Sequence, residues 1–192
     1  MRHLAREDRE TLAQLAYLRP REAPDAHALM GVEGTASRLF FSAYFRVLDW
    51  RRREPRCKPD IPNLLLDIGY TYLFHFTATL LSLYGFDLYC GVLHTFFYQR
   101  MSLVCDLVEP FRCIIDRRVR KAHNLGQIDP ADFFHRGGAW NLRHDRQSKY
   151  AGLFLKDILD QKEPLFRYCQ HYYRWLMRRK SASEFPRYRI GE

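Results

Sequence analysis

Several familiar signatures of chemistry are missing from this 192-residue sequence. There is no GxxxxGK(S/T) loop, no GxGxxG fingerprint and no HExxH pair. That removes the usual readings as a nucleotide cradle, a dinucleotide fold or a zinc protease. No GxSxG elbow occurs, so the α/β-hydrolase reading goes too. Cysteine is sparse: Cys57, Cys90, Cys105, Cys113 and Cys169 make an odd number, with no CxxC pair. Zinc ribbons and disulfide frameworks therefore fit poorly. The thiols read as reduced, packed mostly as small hydrophobes in a cytoplasmic protein. The amino-terminal MRHLAREDRETLAQL has no apolar stretch of the kind a secretory signal needs. No internal repeat and no low-complexity tract is present.

Acidic charge is in the minority, with 22 Asp and Glu against 31 Lys and Arg, a net charge of +9. A cationic surplus suits polyanions, because Lys and Arg displace counterions condensed on phosphates. Nucleic acid is the first such partner and an anionic membrane surface the second. Hydrophobic residues at 47% and charged residues at 28% are ordinary for a globular chain. The length suffices for one well-cored domain. One run, IPNLLLDIGYTYLFHFTATLLSLYGF over 61–86, is long enough to span a bilayer. It carries Asp67 and His75, and no second span exists to shelter them. A central helix surrounded by other helices explains the same composition, and the expectation is no membrane.

The pattern along the chain is mainly α, with at most a short strand or hairpin. Residues 1–24 read as an arm with a short helix from Glu7 to Tyr17 and a break between Pro20 and Pro24. Residues 25–180 read as a helical domain and 181–192 as an extended or mobile tail. A long helix is expected from Asp25 to Trp50. Its Gly31 and Gly34 suit close approach of a backbone or ligand. A basic, proline-stiffened loop follows, RRREPRCKPDIP, then a buried-type helix over 63–84. Ser102 starts the next helix, whose apolar stripe runs from Leu103 to Ile115. GGAWNLRHD suggests a short strand or hairpin, and 149–180 is helical with a break near Pro164.

Some polar groups stand in unusually apolar company. Glu33 lies in LMGVEGTASRLFF, His94 in CGVLHTFFY, and Asp106 and Glu109 in SLVCDLVEPFR. The last two are three residues apart and share a helix face, where without a cation they repel. Carboxylates with one imidazole suit Mn²⁺ or Mg²⁺. Ordinary structural roles account for the same residues. Glu33 can start a helix or pair with Arg38, His94 can be a hydrogen-bonded core residue, and Asp106 and Glu109 can pair with Arg100, Arg112 or Arg117. The residues alone stop at a basic helical protein with a candidate carboxylate–His site.

The spelling of these segments carries further. LMGVEGTASRLFF, NLLLDIGYTYL, GFDLYCGVLH and RMSLVCDLVEPFR, in this order, resemble the linked motifs of the CRISPR-associated integrase of spacer acquisition, the Cas-one family. The match is specific from Leu29 to Asp116 and looser afterwards. The resemblance implies a helical catalytic domain that inserts short DNA into repeat DNA by attack of a 3′-hydroxyl on a phosphodiester. It implies Mg²⁺ or Mn²⁺ held by Glu33, His94 and Glu109, with Asp106 as a further acidic group beside the metal. Arg38, Asn63, Tyr70, Arg100 and Arg112 take supporting roles. It further implies double-stranded DNA as incoming fragment and repeat, a homo-oligomer of two or more copies, and a small adaptation partner subunit. Arg51, Arg52, Arg53 and Lys58, with Arg178, Arg179 and Lys180 beside Arg174, are candidate phosphate contacts. Two rivals remain, a non-catalytic DNA-binding subunit and a plain metal-dependent nuclease. The sequence departs from the family in three places. The usual small β-rich domain before the Glu helix is missing, which reads as either a compact variant or a fragment, the initial Met favouring the former. Asp67 stands where a small residue is common, and Met101 replaces a frequent Pro.

Overall fold

Asp25 starts the first long helix as its composition suggests. In the computed structural model, which describes residues 9–18, 20–48, 50 and 52–188, its carboxylate accepts the Ala28 N–H at 2.7 Å. That satisfies one of the unpaired donors of a helix start. Before it, α1 (Arg9–Tyr17) leads through a tight turn at Pro20–Glu22. The long helix, α2 (Ala26–Tyr44), ends six residues before the expected Trp50. The reason is aromatic packing. A further turn at Arg46–Leu48 brings Trp50 back against Phe41 and Phe45, with ring centroids at 5.6 and 5.3 Å.

The chain divides into two compact units. The first is Met1–Leu65 with Arg120–Leu142, the second Leu66–Val119 with Arg143–Glu192. The first unit holds α1, α2 and an aromatic cluster of Phe40, Phe41, Tyr44, Phe45 and Trp50. The Arg120 guanidinium lies 4.7 Å from the Tyr44 ring centroid. The expected hairpin is here: β1 (Phe133–Arg136) and β2 (Ala139–Leu142) pair antiparallel, Phe133 opposite Leu142. Gly137 and Gly138 join them with φ of +62° and +78°. A two-residue hairpin turn requires such angles, and glycine reaches them without strain. This is the only sheet among the described residues, so the fold is mainly α.

The helix α3 (Ile61–Ser82) starts within the first unit and runs on into the second. By length and composition it is apolar enough to cross a membrane, yet half of its apolar window is buried inside the protein. Leu64, Leu65, Leu66, Leu73 and Leu81 are all core residues. It ends where Gly85, at φ +72°, lets the Phe86 N–H reach the Leu81 carbonyl and the Gly85 N–H reach that of Ser82.

In the second unit α3 packs with α4 (Ser102–Val108), α5 (Arg112–Asn124), α6 (Gln147–Asp160) and α7 (Lys162–Met177). The centre is filled by Leu73, Val104, Phe111, Ile115, Phe154, Ile158 and Leu165. The single stripe expected from Leu103 to Ile115 is two helices, separated by a tighter turn at Glu109–Phe111. Pro110 cannot donate to an α-helical ladder, so the chain tightens there. Pro164 acts in the same way on the last helix. The break falls at Gln161, which puts Pro164 in the first turn of α7, where its missing N–H costs nothing. In the expected extended tail, Ala182–Glu184 forms a further turn, capped by Ser181.

Close approaches of the chain to itself do not occur at Gly31 and Gly34; among the described residues a Cβ at either would meet nothing within 4 Å. They occur instead at Gly69 and Gly91. A Cβ on Gly69 would sit 2.5 Å from Ile115 and 2.9 Å from Phe154. One on Gly91 would sit 2.5 Å from the His94 carbonyl and 2.9 Å from Asp106. Glycine is therefore what lets α3 meet α5 and α6, and what lets the loop before His94 lie on α4.

Candidate functional site

That loop is built onto one carboxylate. Asp106 projects from α4, and its Oδ2 accepts the N–H groups of Val92 at 2.5 Å and Leu93 at 2.9 Å. Its Oδ1 accepts the His94 N–H at 3.0 Å and meets His94 Nδ1 at 2.6 Å. The Asp106 side chain is 6% exposed and that of His94 26%. Burial pushes the Asp106 carboxyl up. The hydrogen bonds from His94 and three amides outweigh burial and hold it below the usual carboxylate range. An ionised acceptor at Nδ1 fixes the proton there and leaves Nε2 as the nitrogen with a lone pair.

Glu109 follows one turn later. Both its oxygens take Arg112 Nη1, at 3.0 and 3.2 Å. The Arg112 guanidinium lies 4.5 Å from the Tyr70 ring centroid, and the Tyr70 hydroxyl donates to Asp116. Burial works against the charge on Arg112, but Tyr70, Glu109 and Asp116 overcome it and raise its pKa. The repulsion expected between Asp106 and Glu109 is thus answered inside the protein, by His94 and loop amides for one and by Arg112 for the other. Tyr70 and Arg112 do gather at Glu109. Asp116, buried and bonded to Tyr70, was not singled out from the sequence; its only signal is a lone carboxylate in the otherwise basic α5.

Glu33 and Arg38 lie exposed on α2 in the first unit, and no ion pair joins them. Among the described residues, no three His, Cys, Asp or Glu side chains come together as a metal cage. The chemistry of the donor set nonetheless suits a divalent cation at two of its positions. His94 has an uncommitted Nε2, and the Glu109 carboxylate is 38% exposed and reachable from solvent. Asp106, saturated by four donors, holds His94 rather than offering itself as a ligand.

The basic loop is pinned by Asn63, which is fully buried in the first unit. Its Oδ1 accepts the Glu54 N–H at 2.8 Å and Arg53 Nη1 at 2.9 Å. Its Nδ2 donates to the Arg52 carbonyl at 3.0 Å and to Asp60. Arg52 also pairs with Glu54 at 2.6 Å, and the Lys58 carbonyl accepts the Trp140 N–H of β2. Arg51 lies outside the described residues. Asn63→Ala is expected to cost about 1–3 kcal/mol, since it strands buried donors and a carbonyl. Urea unfolding measures it, and an unchanged midpoint would mean that the loop is held by its flanks. At the other end of the chain, Arg178 and Lys180 join His171, Arg174 and Trp175 around a cavity of about 340 Å³. Lys180 pairs with Glu184 at 2.7 Å, and Arg179 is exposed nearby.

Comparison with known proteins meets this geometry. Residues 2–156 match the family described as "CRISPR associated protein Cas1". The chain is 31% identical over 182 residues to a CRISPR-associated exonuclease Cas4/endonuclease Cas1 fusion of Geobacter sulfurreducens, covering 88% of this chain and 32% of that one. It is 34% identical over 142 residues to a CRISPR-associated endonuclease Cas1 of Thermodesulfovibrio yellowstonii, covering 70% of this chain and 44% of that protein. It thus spans less than half the length of these relatives. Among solved structures, a "Cas6-RT-Cas1--Cas2 complex" matches 97% of this chain and 22% of the solved one with a TM-score of 0.85 at 22% identity. A "Casposase bound to integration product" matches 95% of this chain and 60% of the solved one with a TM-score of 0.79 at 20% identity. At such identities the structures speak for the fold alone. The motifs around Glu33, Asn63, His94 and Glu109 all lie inside the matched 2–156, and by that match the chain belongs to the Cas1 family of CRISPR-associated proteins.

Proposed function

We propose that this chain carries the catalytic part of a divalent-metal-dependent DNA integrase, which joins short DNA to a CRISPR repeat. The observation that carries this reading is the His94–Asp106 pair. A buried carboxylate fixes the imidazole proton at Nδ1 and leaves Nε2 for a cation, one turn of helix from a solvent-reached Glu109. Glu33, His94 and Glu109 would hold Mg²⁺ or Mn²⁺, which when bound would supply Lewis-acid stabilisation of charge on the phosphate oxygens. The chain's own residues do the rest. Asp106 orients His94 and fixes the 92–94 loop. Arg112 holds Glu109 in place and adds positive charge beside it. Arg52, Arg53, Lys58, Arg178, Arg179 and Lys180 offer contacts for phosphates.

In the reaction, the 3′-hydroxyl oxygen of the incoming DNA bonds to a phosphorus of the repeat. The bond from that phosphorus to its 3′-oxygen breaks. The hydroxyl gives up a proton and the leaving oxygen gains one. One phosphodiester replaces another, so no ATP is consumed. Joining both ends needs two active sites, hence at least a dimer. The relatives' names support DNA and a Cas2-type adaptation partner, since one solved neighbour is titled as a complex with Cas2 and another as bound to an integration product.

The test uses a labelled duplex with free 3′-hydroxyls, a supercoiled plasmid bearing a repeat, and Mg²⁺ or Mn²⁺. Label is expected on the plasmid with the wild-type chain, and neither with chelator nor with Glu33→Ala. Shorter strands without joined ones would replace the proposal by a plain nuclease. Tight DNA binding with no transfer, even with a Cas2-type partner added, would replace it by an assembly role.

A further inference from the structure

The loop that follows His94 presents an unusual surface. Phe96, Phe97 and Tyr98 are 78%, 64% and 78% exposed, and Val92 on the near side of His94 is 71% exposed. Single exposed hydrophobics are common, but a run of them on one loop marks a binding surface. This loop is not slack. Arg100 Nη2 donates to the Thr95 carbonyl at 2.5 Å and Arg100 Nε to Ser102 Oγ at 3.2 Å. Ser102 Oγ in turn donates to the same Thr95 carbonyl at 3.1 Å. The Arg100 N–H closes a turn onto the Phe97 carbonyl at 3.1 Å. Ser102 is fully buried at the start of α4, so the neck of the loop is tied to the core while its aromatic tip stands in solvent.

Charge selects the occupant. The Arg100 guanidinium lies 5.3 Å from the Phe97 ring centroid, its hydrogen bonds end on neutral oxygens, and among the described residues no carboxylate pairs with it. A cation against a presented ring, in a chain of net charge +9, matches a polymer that alternates flat bases with phosphates. Bases inside a duplex are already stacked; only unpaired ones can offer their faces.

We propose that Phe96, Phe97 and Tyr98 form a stacking platform for unpaired bases of a DNA strand held at His94, with Arg100 taking a neighbouring phosphate. These aromatics are positioning residues. The proposal rests on the integrase reading for the identity of the strand, but its test needs no joining.

Binding is compared for two duplexes, one blunt and one with a short single-stranded 3′ extension. Both end in dideoxynucleotides so that no transfer occurs, and the extension carries 2-aminopurine. Wild-type protein is expected to quench the 2-aminopurine and to bind the extended DNA more tightly than the blunt. The triple variant F96A/F97A/Y98A is expected to lose the quenching and to bind the extended DNA about 10-fold or more weakly. Its affinity for blunt duplex should stay within about 2-fold, because phosphate contacts dominate there. Phe97→Trp should keep the quenching. Equal weakening on both duplexes, or no change on either, would overturn the proposal. So would a triple variant that binds both DNAs normally and changes its oligomeric mass, which would make the loop a contact between copies. Failure of the strand-transfer assay would leave this result standing.

Discussion

Asp106→Ala is expected to weaken Mn²⁺ binding and to slow strand joining, each by about 10–100-fold, although Asp106 is not itself assigned as a ligand. Four donors converge on its carboxylate: the amides of Val92, Leu93 and His94, and His94 Nδ1. Removing it does two things. The imidazole is no longer held as the Nδ1–H form, so its Nε2 is no longer the only basic nitrogen. Three amides also lose their acceptor, and the loop that carries His94 loses its anchor to α4. Asp106→Asn separates the two effects. One amide oxygen can replace an acceptor, but the NH₂ group faces donors, so recovery should be partial at best. Titration calorimetry with Mn²⁺ reads the first effect and the joining rate reads the second. If Asp106→Ala bound Mn²⁺ as tightly as wild type and joined DNA at its rate, His94 would not be the ligand proposed here.

Local chemistry explains which parts of the structure could be read from the sequence. Asp25 at the start of α2 and Gly137–Gly138 between the strands each act through a backbone group or a φ angle within a few residues. Ser102 does begin α4 but does not cap it; its hydroxyl reaches back to the Thr95 carbonyl. The features that escaped depend on partners distant in sequence. Trp50 ends α2 early because it folds back on Phe41 and Phe45, and no helical period records that. The glycines that allow close packing are Gly69 and Gly91, not Gly31 and Gly34, because space is a property of what arrives from elsewhere. At the candidate site, Arg112 was legible as a partner for Glu109, while for Asp106 the sequence offered Arg100, Arg112 or Arg117. That Asp106 would be satisfied by loop amides lying 12–14 residues earlier was not legible. The aromatic tip at Phe96–Tyr98 was hidden for the opposite reason: hydrophobic letters read as core until the fold leaves them outside.

The largest stability effect is expected at Arg118 and Asp157, a pair that neither motif nor period announces. Arg118 Nε donates to Asp157 Oδ2 at 2.8 Å, and Nη2 makes a second bond to Oδ1, which gives a bidentate bridge from α5 to α6. The side chains are only 7% and 8% exposed. Two charges at that depth have surrendered their hydration, and each is tolerable only because of the other. Arg118→Ala or Asp157→Ala alone is therefore expected to cost about 3–5 kcal/mol, because the survivor is left buried and uncompensated. Against a total stability of about 5–15 kcal/mol for a protein of ordinary stability, such a loss brings the fold close to failure at 37 °C. The double variant R118L/D157L should recover most of it, since an apolar pair of similar volume removes the desolvation problem. Urea unfolding of the two single variants and the double variant decides the matter. Single variants within about 1 kcal/mol of wild type would indicate a pair that water reaches in solution. A double variant as unstable as the worse single one would mean that the bridge, rather than the burial of its members, holds α5 against α6.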